Sequence, residues 1–221
     1  MAGNLPDYSP KRVLEPIDRI SEVLFGLIMV LTFTGSLSVA EAGREDVSAM
    51  VIGAIGCNLA WGLIDGIMYL MGCLADRART IRIVMAVRHA AQPADAHRII
   101  ASAVPPELAP ALEAPELERM RVRVTQLPEP PARPRLSGED WRGAFGVFLL
   151  VFLSTFPVVL PFLIPQNLMR AVRLSNAVAI VLLFVLGYAF GRRIGHRAWV
   201  TGLFMVVLGS VLVGITIALG G

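Results

Sequence analysis

Residues 47–74 read VSAMVIGAIGCNLAWGLIDGIMYLMGCL, a run of twenty-eight residues whose only formal charge is Asp65. An apolar run longer than about 18 residues can cross a bilayer as a helix. The stretch therefore sets the class of the whole chain: an all-α integral membrane protein. Asn58, Trp61, Asp65, Met68 and Gly72 recur at steps of three and four, which gathers them toward one side of a helix. Gly53, Gly56, Gly62 and Gly66 add small positions where a neighbouring backbone can come close. A carboxylate at membrane depth costs about 3 kcal/mol on insertion scales, and such groups face partners or pathways. Two readings of Asp65 follow: a functional acid, or a hydrogen-bonding group that locks the helix bundle.

Working outward, four further apolar stretches flank this one. Residues 21–40 form the expected first span, with Glu22 at its start, Met29 deeper, and a hydroxyl-rich far half (Thr32, Thr34, Ser36, Ser38) that helix carbonyls can satisfy. EAGRED (41–46) is a short acidic loop that makes the first two spans antiparallel neighbours. Residues 143–164 form the third span. Its Pro157 and Pro161, with Pro165 beyond, each remove a backbone hydrogen bond, so the helix should bend or open near the first two. The fourth span covers about 174–190 and the fifth 199–219, which is rich in glycine and uncharged. The expectation is thus five transmembrane helices with a helical cytosolic insert between the second and third. The segments are an N-terminal arm (1–20), spans one and two (21–74), the insert with its proline-rich linker (75–142), and spans three to five (143–221).

The insert differs sharply in composition, with eleven arginines, nine acids and nine prolines in sixty-eight residues. Residues 76–91 should continue the second helix out of the membrane, 95–104 a short helix, and Pro115 the first turn of a third. PEPPARPRLSGED (128–140) reads as extended. With too few aliphatic residues for an independent core, the module should pack on itself or on a second copy. The chain as a whole is 55% hydrophobic, against about 45–50% for soluble domains. Its formal charge of +3 is almost entirely arginine and speaks to orientation rather than to nucleic acid, for which no binding is expected. No cleavable signal peptide is expected in the polar first twenty residues. Cys57 and Cys73, sixteen residues apart on one helix, cannot pair within the chain.

With five spans and the N-terminus inside, seventeen basic residues lie on the inner side and three on the outer. That bias predicts a cytoplasmic N-terminus and an outward C-terminus. The predominance of arginine and the lack of organelle signals suggest a bacterial inner membrane. In this topology Glu22 sits near the inner interface, Asp65 about 13 Å above the inner end of its helix, and Asn58 about 10 Å further out. Glu22, Asp65 and Asn58 can form a ladder of oxygen ligands, with Met68 and Met29 as thioethers beside it. Carboxylates with an amide suit a hard divalent ion, and thioethers shift the preference toward iron and other transition metals. An acid at this depth can also carry protons. Other readings stay open: Glu22 paired with Arg19, Asn58 as interhelical glue, the methionines as packing. In the insert, Glu107, Glu113, Glu116, Glu118, Met120, His89 and His97 either gather metal or form a solvated face. No hydrolase triad, phosphate loop or zinc spacing occurs, and neither an enzyme nor a bound cofactor is expected.

LSTFPVVLPFLIP (153–165) and LLFVLGYAFGRRIG (182–195), with the glycine-rich last span, resemble the third, fourth and fifth spans of the vacuolar iron transporter family. The five-span layout and the helical insert are similar to that family over the whole chain. The first half departs from it: the family's Asp-Gly pair lies in the first span, whereas here the only one is Asp65-Gly66 in the second, and the insert lacks the family's dense glutamate set. The resemblance implies a homodimer with a translocation seam between subunits, moving Fe²⁺ or Mn²⁺ out of the cytosol against protons. It carries no ligand over by position, so Glu22, Asn58, Asp65 and Met68 rest on the residue argument alone. A rival from another class is a non-transporting membrane scaffold whose insert docks a soluble partner.

Overall fold

The computed structural model describes residues 16–35, 44–164 and 167–218, and all regular structure among them is helical. Eight α-helices follow in order: α1 (Pro16–Gly35), α2 (Arg44–Arg88), α3 (Pro93–Ala103), α4 (Ala114–Gln126), α5 (Gly138–Ser154), α6 (Phe156–Leu163), α7 (Leu168–Arg193) and α8 (Ala198–Ala218). Glu41, Ala42 and Gly43 of the EAGRED stretch, with Ser36, Ser38 and Pro165, lie outside the described residues, whereas its Arg44, Glu45 and Asp46 are already the first residues of α2 rather than loop. Three stretches among the described residues are long and apolar enough to cross a membrane: Val47–Arg88, Gly138–Leu163 and Leu168–Arg193, with a shorter apolar helix at Ala198–Leu212. The protein is an α-helical membrane protein.

The chain divides into two compact units, one of Met1–Tyr69 with Glu139–Gly221 and the other Leu70–Gly138. In the first, Leu27, Val30 and Leu31 of α1, Met50, Val51 and Ala54 of α2, Val158 and Val159 of α6, and Ala179 and Leu183 of α7 form one buried cluster. Lipid tails are as apolar as leucine, so these helices are held by close packing and interhelical hydrogen bonds rather than by expulsion of water. The α7/α8 pair shows how: a methyl added at Gly187 would stand 2.7 Å from Met205, and one at Gly202 would stand 2.9 Å from Phe184. Phe184, Tyr188 and Trp199 pack together at one end of this pair, Trp199 edge-on to Tyr188 and the other ring pairs tilted. The chain reverses between the two helices through Gly195 at φ +71°, a left-handed conformation that glycine adopts without penalty.

The third expected span is two helices end to end. Pro157 has no N–H to give the carbonyl four residues earlier, and the helical ladder is interrupted at Thr155. Pro161 stays inside α6 without ending it. Within α6 the Val158 carbonyl accepts a hydrogen bond at 2.8 Å from the Ser175 hydroxyl, which ties α6 to α7.

In the second unit the last turns of α2 meet α3 and α4 around Val87, Ala96 and Ile100, with Leu117 and Val124 packed against them. The core is small, and polar contacts supplement it. Arg88 donates to the Leu127 carbonyl at 2.7 Å, and Arg77 donates to the Arg135 carbonyl and to Ser137. The proline-rich segment 129–132 borders the same hollow as Ile81 and Met85 of α2. The insert therefore packs on itself.

A clasp joins α3 to α4. The Glu118 carboxylate is gripped by Arg121 at 2.6 and 2.9 Å and meets His97 Nε2 at 2.9 Å. Hydrogen bonds from Arg121 and His97 hold the Glu118 carboxyl down at about 2, below its ordinary 4.5. A depressed carboxyl contributes stability above its unfolded value and loses it as pH falls through the folded one. Hydrogen exchange in α3 of the full chain should accordingly rise between pH 4.5 and 2. In Glu118→Gln it should be fast throughout, without that step; a variant retaining the step would place the titrating group elsewhere.

Candidate metal pathway

Helices α1, α2 and α5 meet where their side chains are smallest. A methyl on Gly26 of α1 would collide with Ser154 Oγ and stand 2.7 Å from the Val151 carbonyl. Methyls on Gly62 and Gly66 of α2 would stand 3.0 and 3.1 Å from the Phe148 and Ala144 carbonyls of α5, and one on Gly143 would meet the Tyr69 ring. Without side chains at these points, backbones approach closely enough for short polar residues to bridge them. The facing pairs run in opposite directions along α2, so α1 and α5 both lie antiparallel to it.

Asn58 occupies the centre of this junction and is fully buried. Its Nδ2 donates to the Gly26 carbonyl at 3.0 Å and to Thr155 Oγ1 at 2.5 Å, tying α2 to α1 and to the opened turn before Pro157. Asn58 is the interhelical glue of the seam. Its Oδ1 is buried with no hydrogen-bond partner. One turn along, Trp61 meets Phe25 of α1 edge-on at 5.7 Å.

Two turns along α2 from Asn58 comes Asp65. The residue is partly exposed, but its Oδ2 is enclosed and has no hydrogen-bond partner. Across the seam stands Glu22 of α1, half-buried and close enough for the two charges to interact. The other charge acting on Glu22 is again an acid, Asp18. Among the described residues no ion pair joins Glu22 to Arg19. Two acids thus lie within range of each other's charge, and neither joins an ion pair among the described residues. Such a pair repels itself unless a proton or cation enters.

Met68 lies outside this seam. It is 61% exposed, on the side of α2 that carries Ile64, Ile67 and Met71. Thr155 and Gly26 are the seam residues that the sequence reading passed over. The available signal was Ser154-Thr155 just before Pro157, two hydroxyls at the turn where proline frees a carbonyl. A buried acid also escaped notice: Asp140, 7% exposed, in the first turn of α5.

Among the described residues no group of three or more His, Cys, Asp and Glu side chains gathers to hold a metal ion. In the insert, Glu118 is engaged by Arg121 and His97, and Glu116 accepts the Glu113 N–H at the start of α4. These acids serve the structure of the module. Glu22 and Asp65, by contrast, join no ion pair among the described residues.

The model of the VIT family matches residues 90–221, more than half of the chain. The chain belongs to the VIT family. This VIT protein is accordingly a membrane metal-ion transporter, from a family of transporters rather than enzymes. No curated protein matches it. The family match begins just after α2 ends, so it takes in α3 to α8 and leaves Glu22, Asn58, Asp65 and Met68 to be argued from geometry.

Proposed function

We propose that this VIT family member exports Fe²⁺ or Mn²⁺ from the cytoplasm, with Glu22 and Asp65 forming a transit site for the ion and protons moving the opposite way. The observation that carries the proposal is the enclosed, unpartnered Asp65 Oδ2 on an apolar helix, within charge range of a second acid, Glu22. Buried carboxylates without a positive neighbour are held at a cost, and a divalent cation offsets it in passing. Two carboxylates and the Asn58 Oδ1 are hard oxygen donors, suited to Mn²⁺ and Fe²⁺. Protons are the natural counter-ion, because the same pair can take one up once the metal has left. Met68 takes no part as a ligand within one protomer, since it lies on the exposed side of α2; in a homodimer that side is free to meet the second copy.

The seventeen-to-three distribution of basic residues supports five spans with the N-terminus and insert in the cytoplasm and the C-terminus outside, in a bacterial inner membrane. The scaffold alternative gives way to membership of a transporter family. The test is flux into proteoliposomes holding the purified full chain, with Fe²⁺, Mn²⁺, Co²⁺ and Zn²⁺ offered in turn under an imposed pH gradient. Fe²⁺ and Mn²⁺ should move fastest, and collapsing the gradient should slow them at least about fivefold. Flux of neither ion above protein-free vesicles would contradict the proposal.

A further inference from the structure

An apolar groove of 560 Å³ runs along α1 and α5 on the first unit. Val23, Leu149, Leu150 and Leu153 form its wall, and Arg19 and Arg142 line it as well. The two helices run parallel, and each arginine precedes the apolar positions on its own helix, so both guanidiniums stand at the same end. Among the described residues neither takes part in an ion pair. The acids in the same turns, Asp18, Glu139 and Asp140, do not line the groove. From Arg142 to Leu153 the helix rises about 16 Å, close to the half-thickness of a bilayer's hydrocarbon core.

A paired positive mouth over an apolar trough of one leaflet's depth has the chemistry of a phospholipid site. We propose that the groove binds an anionic phospholipid, its phosphate between Arg19 and Arg142 and one acyl chain along Leu149, Leu150 and Leu153. A zwitterionic lipid carries the same phosphate with its own ammonium beside it, which competes with the arginines and weakens the attraction. A free anion would leave the apolar wall uncovered. Basic pockets between membrane helices hold anionic headgroups in this way, each basic residue contributing about fivefold in binding. The site is separate from the Glu22–Asp65 pair and stands whether or not that pair passes metal.

The test is native mass spectrometry of the full chain released from nanodiscs of equal phosphatidylglycerol and phosphatidylcholine. The wild type should retain phosphatidylglycerol over phosphatidylcholine by roughly thirtyfold. Arg19→Gln/Arg142→Gln should retain the two equally, and Arg19→Lys/Arg142→Lys should keep most of the preference. Both arginines are exposed, so these changes leave the fold intact. Leu153→Trp, which fills the trough from an exposed position, should release the tightly held lipid with both arginines present. An unchanged preference in the double glutamine variant would overturn the proposal. So would undiminished retention in Leu153→Trp, or displacement of the lipid by excess inorganic phosphate.

Discussion

Asp65→Asn lowers metal flux in proteoliposomes by about a hundredfold or more while leaving expression, assembly and thermal midpoint close to wild type. The change keeps shape and removes one charge, and in a partly enclosed site a charge at contact distance is worth several kcal/mol to a divalent ion. Asp65 Oδ2 has no hydrogen-bond partner in the resting bundle, so no structural bond is lost with the charge. Glu22→Gln should act in the same direction, because in the proposed site it meets the same ion from α1. A purely structural Asp65 behaves differently: its amide variant would shift the thermal midpoint and leave flux within twofold of wild type. That outcome would remove the acid pair from the pathway.

Gly26→Val carries the largest expected effect on stability. A methyl at Gly26 collides with Ser154 Oγ, which could rotate away, but it also stands 2.7 Å from the Val151 carbonyl and 3.2 Å from the Val151 Cα. Backbone cannot give at those distances without moving α5 away from α1. Overpacking of a close helix contact costs about 1–3 kcal/mol. Here the movement also withdraws the Gly26 carbonyl from Asn58, and with it a buried hydrogen bond worth about 1 kcal/mol. The thermal midpoint in detergent should fall by roughly 10 °C. Gly56→Val is the control: nothing lies within 4 Å of a methyl there, and the midpoint should stay within about 2 °C. Equal losses in the two variants would mean that valine disturbs any glycine of this bundle and that the α1–α5 contact is not special.

The helices were legible because hydrophobic runs and breaker residues act locally. The long helix through residues 47–74 and on to Arg88, the short helix near Asp95 and the Pro115 start all appear at their expected places. The seam was half legible. Asn58 and Asp65 are separated by seven residues, which returns the helix to within about 20° of the same direction, and both face inward. Trp61 and Met68 belong to the same three-and-four spacing but stand about 60–80° round from Asn58, enough to carry Met68 to the exposed side. Spacing alone cannot say where the buried arc ends, because that depends on which neighbour packs there. The contacts of Asn58 with Gly26 and Thr155 span 32 and 97 residues, and local patterning carries no record of them. The prolines announced an opened third span correctly, yet the opening lies at Thr155 while Pro161 is absorbed, with Ser175 of α7 bonding to the neighbouring Val158 carbonyl.

The most direct measurement is Mn²⁺ binding to the purified full chain followed by electron paramagnetic resonance, comparing the wild type with Asp65→Asn and Glu22→Gln. Occupancy of a protein-bound Mn²⁺ signal in the wild type, lost or weakened at least about tenfold in each variant, is the predicted result. An equal bound signal in all three proteins would contradict the claim that the ion passes between these two carboxylates.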